Sequence, residues 1–297
     1  MKGNKIRKMH RYSAGYWVNM ALLILMVLAC LLPLLNMLAT SLSDKASVNA
    51  GEVLLIPHGL TFDAYKYVLE KQEMWRAMLV TVERVLLGVT LNVALCVLCA
   101  YPLSKTTHDF RSRTAYAWFF FFTILFSGGT VPWFFLISSF GMLDTIWALV
   151  IPGAVPVFSV VLLLNFFRQL PKELCEAAEI DGANEWIIML RIYVPTSLPS
   201  IATITLFAFV YHWNSWFDGM LLMNQPENMP LQTYIQAILL QSNSDFYKYQ
   251  GMAGYGAMNE KTFKAAQVIV SIIPVLIVYP FVQKFFTQGI VMGSVKE

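Results

Sequence analysis

Charge is scarce in this chain of 297 residues, where Asp, Glu, Lys and Arg together make up 13%. A soluble domain carries about 25% charged residues, so the coat that a water-facing fold of this length needs is missing. A basic surface for nucleic acid is missing as well, with a net charge of only +3. Cysteine is limited to Cys30, Cys96, Cys99 and Cys175, the first three inside apolar runs. That excludes a disulfide framework and gives no expectation of a metal site. Cys96-x-x-Cys99 has redox spacing but lies among Val, Leu and Ala, where helix packing is the expected role. No G-x-x-x-x-G-K-[ST] phosphate loop occurs, nor H-E-x-x-H, nor G-x-S-x-G. The chain therefore encodes no nucleotide-hydrolysing site and no familiar hydrolase centre. Low-complexity tracts and repeats are absent too.

What the chain has in plenty is apolar surface: 57% of residues are hydrophobic and the mean hydropathy is +0.58. Disorder is excluded by the same figures. No charge interrupts Tyr12 to Ser43, and the apolar run exceeds the roughly 7–15 residues of a signal-peptide core. We read it as an uncleaved first span over residues 18–39. Five further spans are expected over 77–103, 114–137, 145–167, 201–223 and 265–286, each long enough for a hydrocarbon core of ~30 Å at about 1.5 Å per residue. Gly128-Gly129 and Pro132 should break the third near its outer end, which is tolerable only where the irregular backbone meets protein or water.

With the N-terminus inside, the inner segments hold 13 lysines and arginines against 7 in the outer ones. Positive residues stay on the cytoplasmic side, so both termini are placed inside. The expected fold is an all-α polytopic membrane protein of six transmembrane helices, N-in and C-in, forming one domain over residues 1–297. Outside, residues 60–69 form an amphipathic stretch with Thr61 as its cap, and residues 224–262 suit a partly ordered loop.

The most informative segment is the inner loop 169–195. Pro171 and Glu173 open a helix, Gly182 ends it, Asn184 caps a second helix to about Tyr193, and Pro195 closes that one. Residues 169–191 hold five acids (Glu173, Glu176, Glu179, Asp181, Glu185) against Lys172 and Arg191. A loop resting on anionic lipid would carry the opposite sign. Small residues at Ala177, Ala178, Gly182 and Ala183 leave a face that another protein can approach. A merely solvated hairpin fits the charge equally well.

Spacing separates the two. Glu176-Ala177-Ala178, three residues, Gly182, nine residues, Ile192, one residue, a branched aliphatic (Val194) and Pro195 resembles the cytoplasmic-loop signature of ABC importer permeases, with valine where leucine is commoner. The Asp181-Gly182-Ala183 variant, Trp147-Ala148-Leu149, Phe166-Phe167-Arg168 and Trp213-Asn214 are similar to the carbohydrate, maltose-permease-like branch. Ser127-Gly128-Gly129 with Pro132, and the ending Gln283-Lys284 to Gly289 and Gly293, resemble the branch for aldouronate and other complex oligosaccharides.

The resemblance implies a permease subunit that imports oligosaccharides by alternating access, with no catalytic residue of its own. Glu176, Ala177, Ala178, Asp181, Gly182, Ala183, Ile192 and Pro195 would couple it to a cytoplasmic ATPase dimer. ATP and Mg would be bound by that partner, and this chain would need no cofactor. A second permease, as a heterodimer, and an extracytoplasmic solute-binding protein complete the implied partners, with membrane lipid around them and no nucleic acid.

Trp213, Asn214, Trp216 and Asp218 gather near the outer half of the fifth span, where rings could stack on sugars and Asn214 and Asp218 meet hydroxyls. An aromatic belt at the headgroups would use the tryptophans equally well. His212 is expected to be a packed or interfacial residue rather than a ligand. Glu83 and Arg84 either serve a polar path or an inter-helix pair in the membrane or sit at its outer interface, since Val85 to Ser104 already gives 20 uncharged residues. The rival classes are an amino-acid or peptide permease of the same type, an ion-coupled secondary transporter and an intramembrane enzyme. The last two lack the intramembrane acids, paired broken repeats or catalytic motifs they need.

Overall fold

Uninterrupted apolar runs leave the backbone one local way to satisfy its own hydrogen bonds in lipid, the helix. The computed structural model describes residues 14–240 and 260–294, and among these every regular element is helical. By packing, the described residues divide into two compact units: 14–68 with 260–269, and 69–240 with 270–294.

In the first unit, α1 (Ala14–Ser41) encloses the expected first span and keeps its apolar side chains exposed on all sides as far as Leu35. Past it, Ala39, Val48 and Val53 form a small core. The short α2 (Lys45–Ala50) is capped by Asp44, whose carboxylate accepts the Ser47 N–H at 2.7 Å. α3 (Asp63–Glu70) starts two residues after Thr61, whose hydroxyl accepts the Asp63 N–H at 3.2 Å and donates to its carboxylate at 2.8 Å.

The second unit is built on α4 (Gln72–Ser104), whose 33 residues reach ~50 Å. At its start, Arg76 pairs with Glu227 at 2.8 Å and the Thr81 hydroxyl accepts the Leu231 N–H at 2.7 Å. At its end, Lys105 pairs with Glu185 at 2.9 Å, and the Leu103 carbonyl accepts from Arg113 at 2.8 Å and Arg168 at 3.3 Å. The segments assigned to opposite sides of a membrane thus meet opposite ends of one helix.

The third expected span is α5 (Arg113–Leu125) followed by α6 (Thr130–Ser139), bent by 116° at the diglycine. Gly129 has φ +87, which a side chain would strain. The fourth differs from the expectation of one helix: α7 (Ile146–Val150) and α8 (Val157–Phe167) are separated by Ile151–Pro156, where Pro152 and Pro156 cannot donate. Asn92, buried on α4, donates to the Gly153 and Ala154 carbonyls at 2.9 Å each and so satisfies that broken backbone.

The inner loop holds α9 (Glu173–Ile180), α10 (Glu185–Ile188), a π turn at Met189–Tyr193 and α11 (Val194–Thr196). Pro195 therefore does not close the second helix. The Val194 N–H reaches back five residues to Met189, and the helical path runs on through Pro195 before bending by 83° into α12 (Leu198–Asn214). The fifth expected span likewise breaks at Ser215-Trp216 before α13 (Phe217–Leu222). α14 (Leu231–Leu240) orders part of the expected outer loop, and residues 241–259 of that loop lie outside the described ones. A last helix, Glu260–Ser294, encloses the sixth expected span with Pro274 and Pro280 inside it.

Among the described residues, α1 and α4 are each long and apolar enough to cross a membrane alone. The two bent pairs bring the number to as many as four. α4 packs along α12 and α8. Gly88 permits the first contact, since a Cβ there would overlap the His212 ring.

Candidate functional site

The hairpin's first arm ends as its sequence requires. Gly182 has φ +80, its N–H donates to Glu179 at 3.0 Å, and the Ala183 N–H donates to Ala178 at 2.9 Å. This is a Schellman ending, and it satisfies the Ala178 and Glu179 carbonyls at the turn. Asn184 caps α10 by accepting the Ile187 N–H at 2.9 Å.

The two sides of the hairpin differ. Ala178, Ala183 and Ile192 are half-buried, against a core that includes Phe167, Ile188, Met189 and Tyr193. Glu176, Ala177, Asp181, Gly182 and Pro195 are exposed, as are Glu173 and Glu179. Ile180, at the tip, is 86% exposed. Half of the small residues expected to face a partner thus face the chain's own spans, while the acids and an apolar tip point away. Glu185 is held apart from this acidic surface: its carboxylate accepts from the Tyr101 hydroxyl and pairs with Lys105. Burial pushes its carboxyl up, but those two partners outweigh it and hold it below the usual glutamate value.

A second feature lies where helix breaks meet. A cavity of about 700 Å³ is bounded by Ser127 to Thr130 at the α5–α6 break and by Ser215, Phe217 and Asp218 at the α12–α13 break, with Trp133 and Tyr211 on its walls. Hydroxyls, exposed backbone and aromatic faces together are the surroundings a sugar needs. Beneath it, Arg84 is wholly buried and pairs with Asp218, one of its nitrogens lying 3.2 Å from the second carboxylate oxygen and 3.4 Å from the Ser215 carbonyl. Asp218 also accepts from the Ser215 hydroxyl at 2.8 Å and the Gly219 N–H at 2.9 Å.

Of the four expected sugar contacts, Asp218 lines the cavity. Trp213 is 4% exposed and stacks on Phe209 at 5.8 Å. Asn214 is exposed and donates to the Val210 carbonyl of its own helix at 2.9 Å, and Trp216 packs edge-on against Phe217 at 5.7 Å. Glu83 and Arg84 part company: Glu83 is exposed, whereas Arg84 forms the inter-helix pair. His212 is fully buried, its Nε2 2.9 Å from the Asn92 Oδ1. Sequence reasoning missed Tyr211, Trp133 and Asn92. The diglycine break and the tryptophan cluster were the signals nearest to them.

The family described as binding-protein-dependent transport system inner membrane component matches residues 97–292. The polygalacturonan/rhamnogalacturonan transport system permease protein YtcP of Bacillus subtilis (strain 168) is 37% identical over 274 residues, 92% of this chain and 95% of that one. A chain in the crystal structure of a bacterial ABC transporter involved in the import of the acidic polysaccharide alginate superposes with a TM-score of 0.85 at 33% identity, over 93% of this chain and 99% of that one. A chain of the bacterial alginate ABC transporter in complex with an alginate pentasaccharide-bound periplasmic protein shares the fold at a TM-score of 0.54 and 17% identity, over 90% and 92%.

Proposed function

The chain belongs to the family of binding-protein-dependent transport system inner membrane components, and from that premise we propose that it is one of two permease subunits of an ATP-driven importer of acidic oligosaccharides. The observation that carries the mechanism is the two-sided hairpin: one side anchored on the ends of the spans, the other presenting exposed acids and Ile180. An anchored knob of this kind can transmit force, which a freely solvated hairpin cannot. Its partner is a cytoplasmic ATPase dimer that binds ATP and Mg and closes as ATP binds. Movement of the knob then rocks α4, α8 and α12, and the cavity at the two breaks opens to alternate sides.

Six crossings with both termini inside suit this arrangement. The excess of inner lysines and arginines supports it, and so does the meeting of Glu227 and Glu185 with opposite ends of α4. A second permease closes the pore, and an extracytoplasmic binding protein delivers the cargo. The acidic cargo is supported by two relatives at 37% and 33% identity, one named for polygalacturonan and one for alginate.

The test is uptake by proteoliposomes containing the whole complex, loaded with ATP and given labelled oligogalacturonate or a neutral glucan of equal length. ATP-dependent uptake of the acidic oligomer, at least tenfold above the neutral one, is expected; tenfold corresponds to about 1.4 kcal/mol of discrimination. Equal uptake of both would remove the acidic assignment, and uptake driven by an ion gradient without ATP would remove the importer.

A further inference from the structure

The hairpin's two arms are joined to two different spans through one side chain. Tyr193, at the end of the π turn, is buried and sets its ring edge-on against Tyr101 of α4, at 4.8 Å and 89°. It meets Phe167 of α8 in the same way, at 5.2 Å and 89°. Its hydroxyl accepts from the Cys175 thiol of α9 at 3.3 Å. Apart from Glu185, which binds the Tyr101 hydroxyl and Lys105, the neighbouring contacts are of another kind. Ala178, Ala183, Ile188 and Met189 touch the core through apolar atoms with no directional preference. Perpendicular ring pairs do have one, because the positive edge of one ring meets the negative face of the other. The Tyr101 ring is itself held, its hydroxyl donating to Glu185 and the Lys105 ammonium lying 4.9 Å from its centroid.

We propose that Tyr193 is the positioning residue that carries movement of the hairpin into α4 and α8, so that it sets how tightly ATP hydrolysis is converted into transport. The proposal rests on the permease function above. Without the two perpendicular contacts, the hairpin still docks on its ATPase through its exposed side, but its displacement slips against α8 and reaches α4 only through Glu185. The thiol bond adds alignment only, because the ring contacts hold without it.

The experiment uses the complete complex in proteoliposomes and reads ATP hydrolysed per sugar imported, with assembly quantified for each variant. Tyr193→Leu should assemble and keep its binding-protein-stimulated hydrolysis within about twofold of wild type. Its uptake should fall about tenfold, the effect of removing roughly 1.4 kcal/mol, so ATP per sugar rises about tenfold. Tyr193→Phe, which keeps both ring contacts, should stay within about twofold of wild type. Phe167→Leu removes one contact from the opposite side, should raise the ratio in the same direction, and carries the test if Tyr193→Leu does not assemble. An assembled Leu variant whose hydrolysis and uptake fall in proportion, or whose ratio stays at the wild-type value, overturns the proposal. A wild-type complex that hydrolyses ATP without importing sugar instead overturns the permease function on which the proposal rests.

Discussion

Arg84 shows how a charge survives inside an apolar bundle. The guanidinium is wholly buried, and it is matched by the Asp218 carboxylate and the Ser215 carbonyl at a helix break, where a free backbone acceptor exists. Removing one member of such a pair strands the other and costs about 3–5 kcal/mol, whereas replacing both by apolar residues can be nearly neutral. Arg84→Ala should therefore lower thermal stability in detergent by that amount, and Arg84→Met with Asp218→Leu should recover most of it. Arg84→Ala with unchanged stability would mean the pair holds nothing. Gly182 makes the complementary case. Nothing lies within 4 Å of a Cβ built there, so a substitution meets no steric obstacle, only the left-handed backbone at φ +80. Gly182→Ala should cost about 1–2 kcal/mol locally and reduce uptake while membrane insertion, measured by membrane-fraction yield, stays at the wild-type level.

Among the elements, the hairpin is tied to the end of α4 by Glu185, whose carboxyl is held below its usual value. A depressed carboxyl stabilises above its unfolded pKa, and that stabilisation is lost as pH falls through the folded value. The side chain is 62% exposed, so the effect is small, a few tenths of a kcal/mol. Hydrogen-exchange protection of residues 185–196, corrected for intrinsic rates, should be flat from neutral pH down to about 4.5 and fall below it. In Glu185→Gln it should be flat throughout, and an acid-dependent loss there would assign the effect to another group. Local chemistry made much of this hairpin legible in advance: the Gly182 ending and the Asn184 cap follow from residue type. Pro195 was misleading because a missing N–H can be absorbed by a π turn, which no single residue announces. The breaks in the fourth and fifth spans were hidden for a related reason. Pro152 and Ser215 disrupt a helix only if something buried satisfies the freed carbonyls, and Asn92 and Arg84 lie about sixty and 130 residues away in sequence.

For the whole molecule, composition and the run lengths were enough for an all-helical membrane protein, because scarce charge leaves few other solutions. The cavity was not legible, since it is made where two breaks meet and only one was foreseen. Its walls come from Tyr211 and Trp133 rather than from the neighbouring Trp213 and Asn214. In the proposed importer, the exposed side of the hairpin is seated in a separate ATPase. A photo-reactive amino acid in place of Ile180, 86% exposed at the hairpin tip, irradiated in native membranes and analysed by mass spectrometry, tests it most directly. One dominant adduct is expected, to an ATPase subunit, with a yield that changes when sugar and ATP are supplied. Adducts to lipid alone, or none above background, would contradict it.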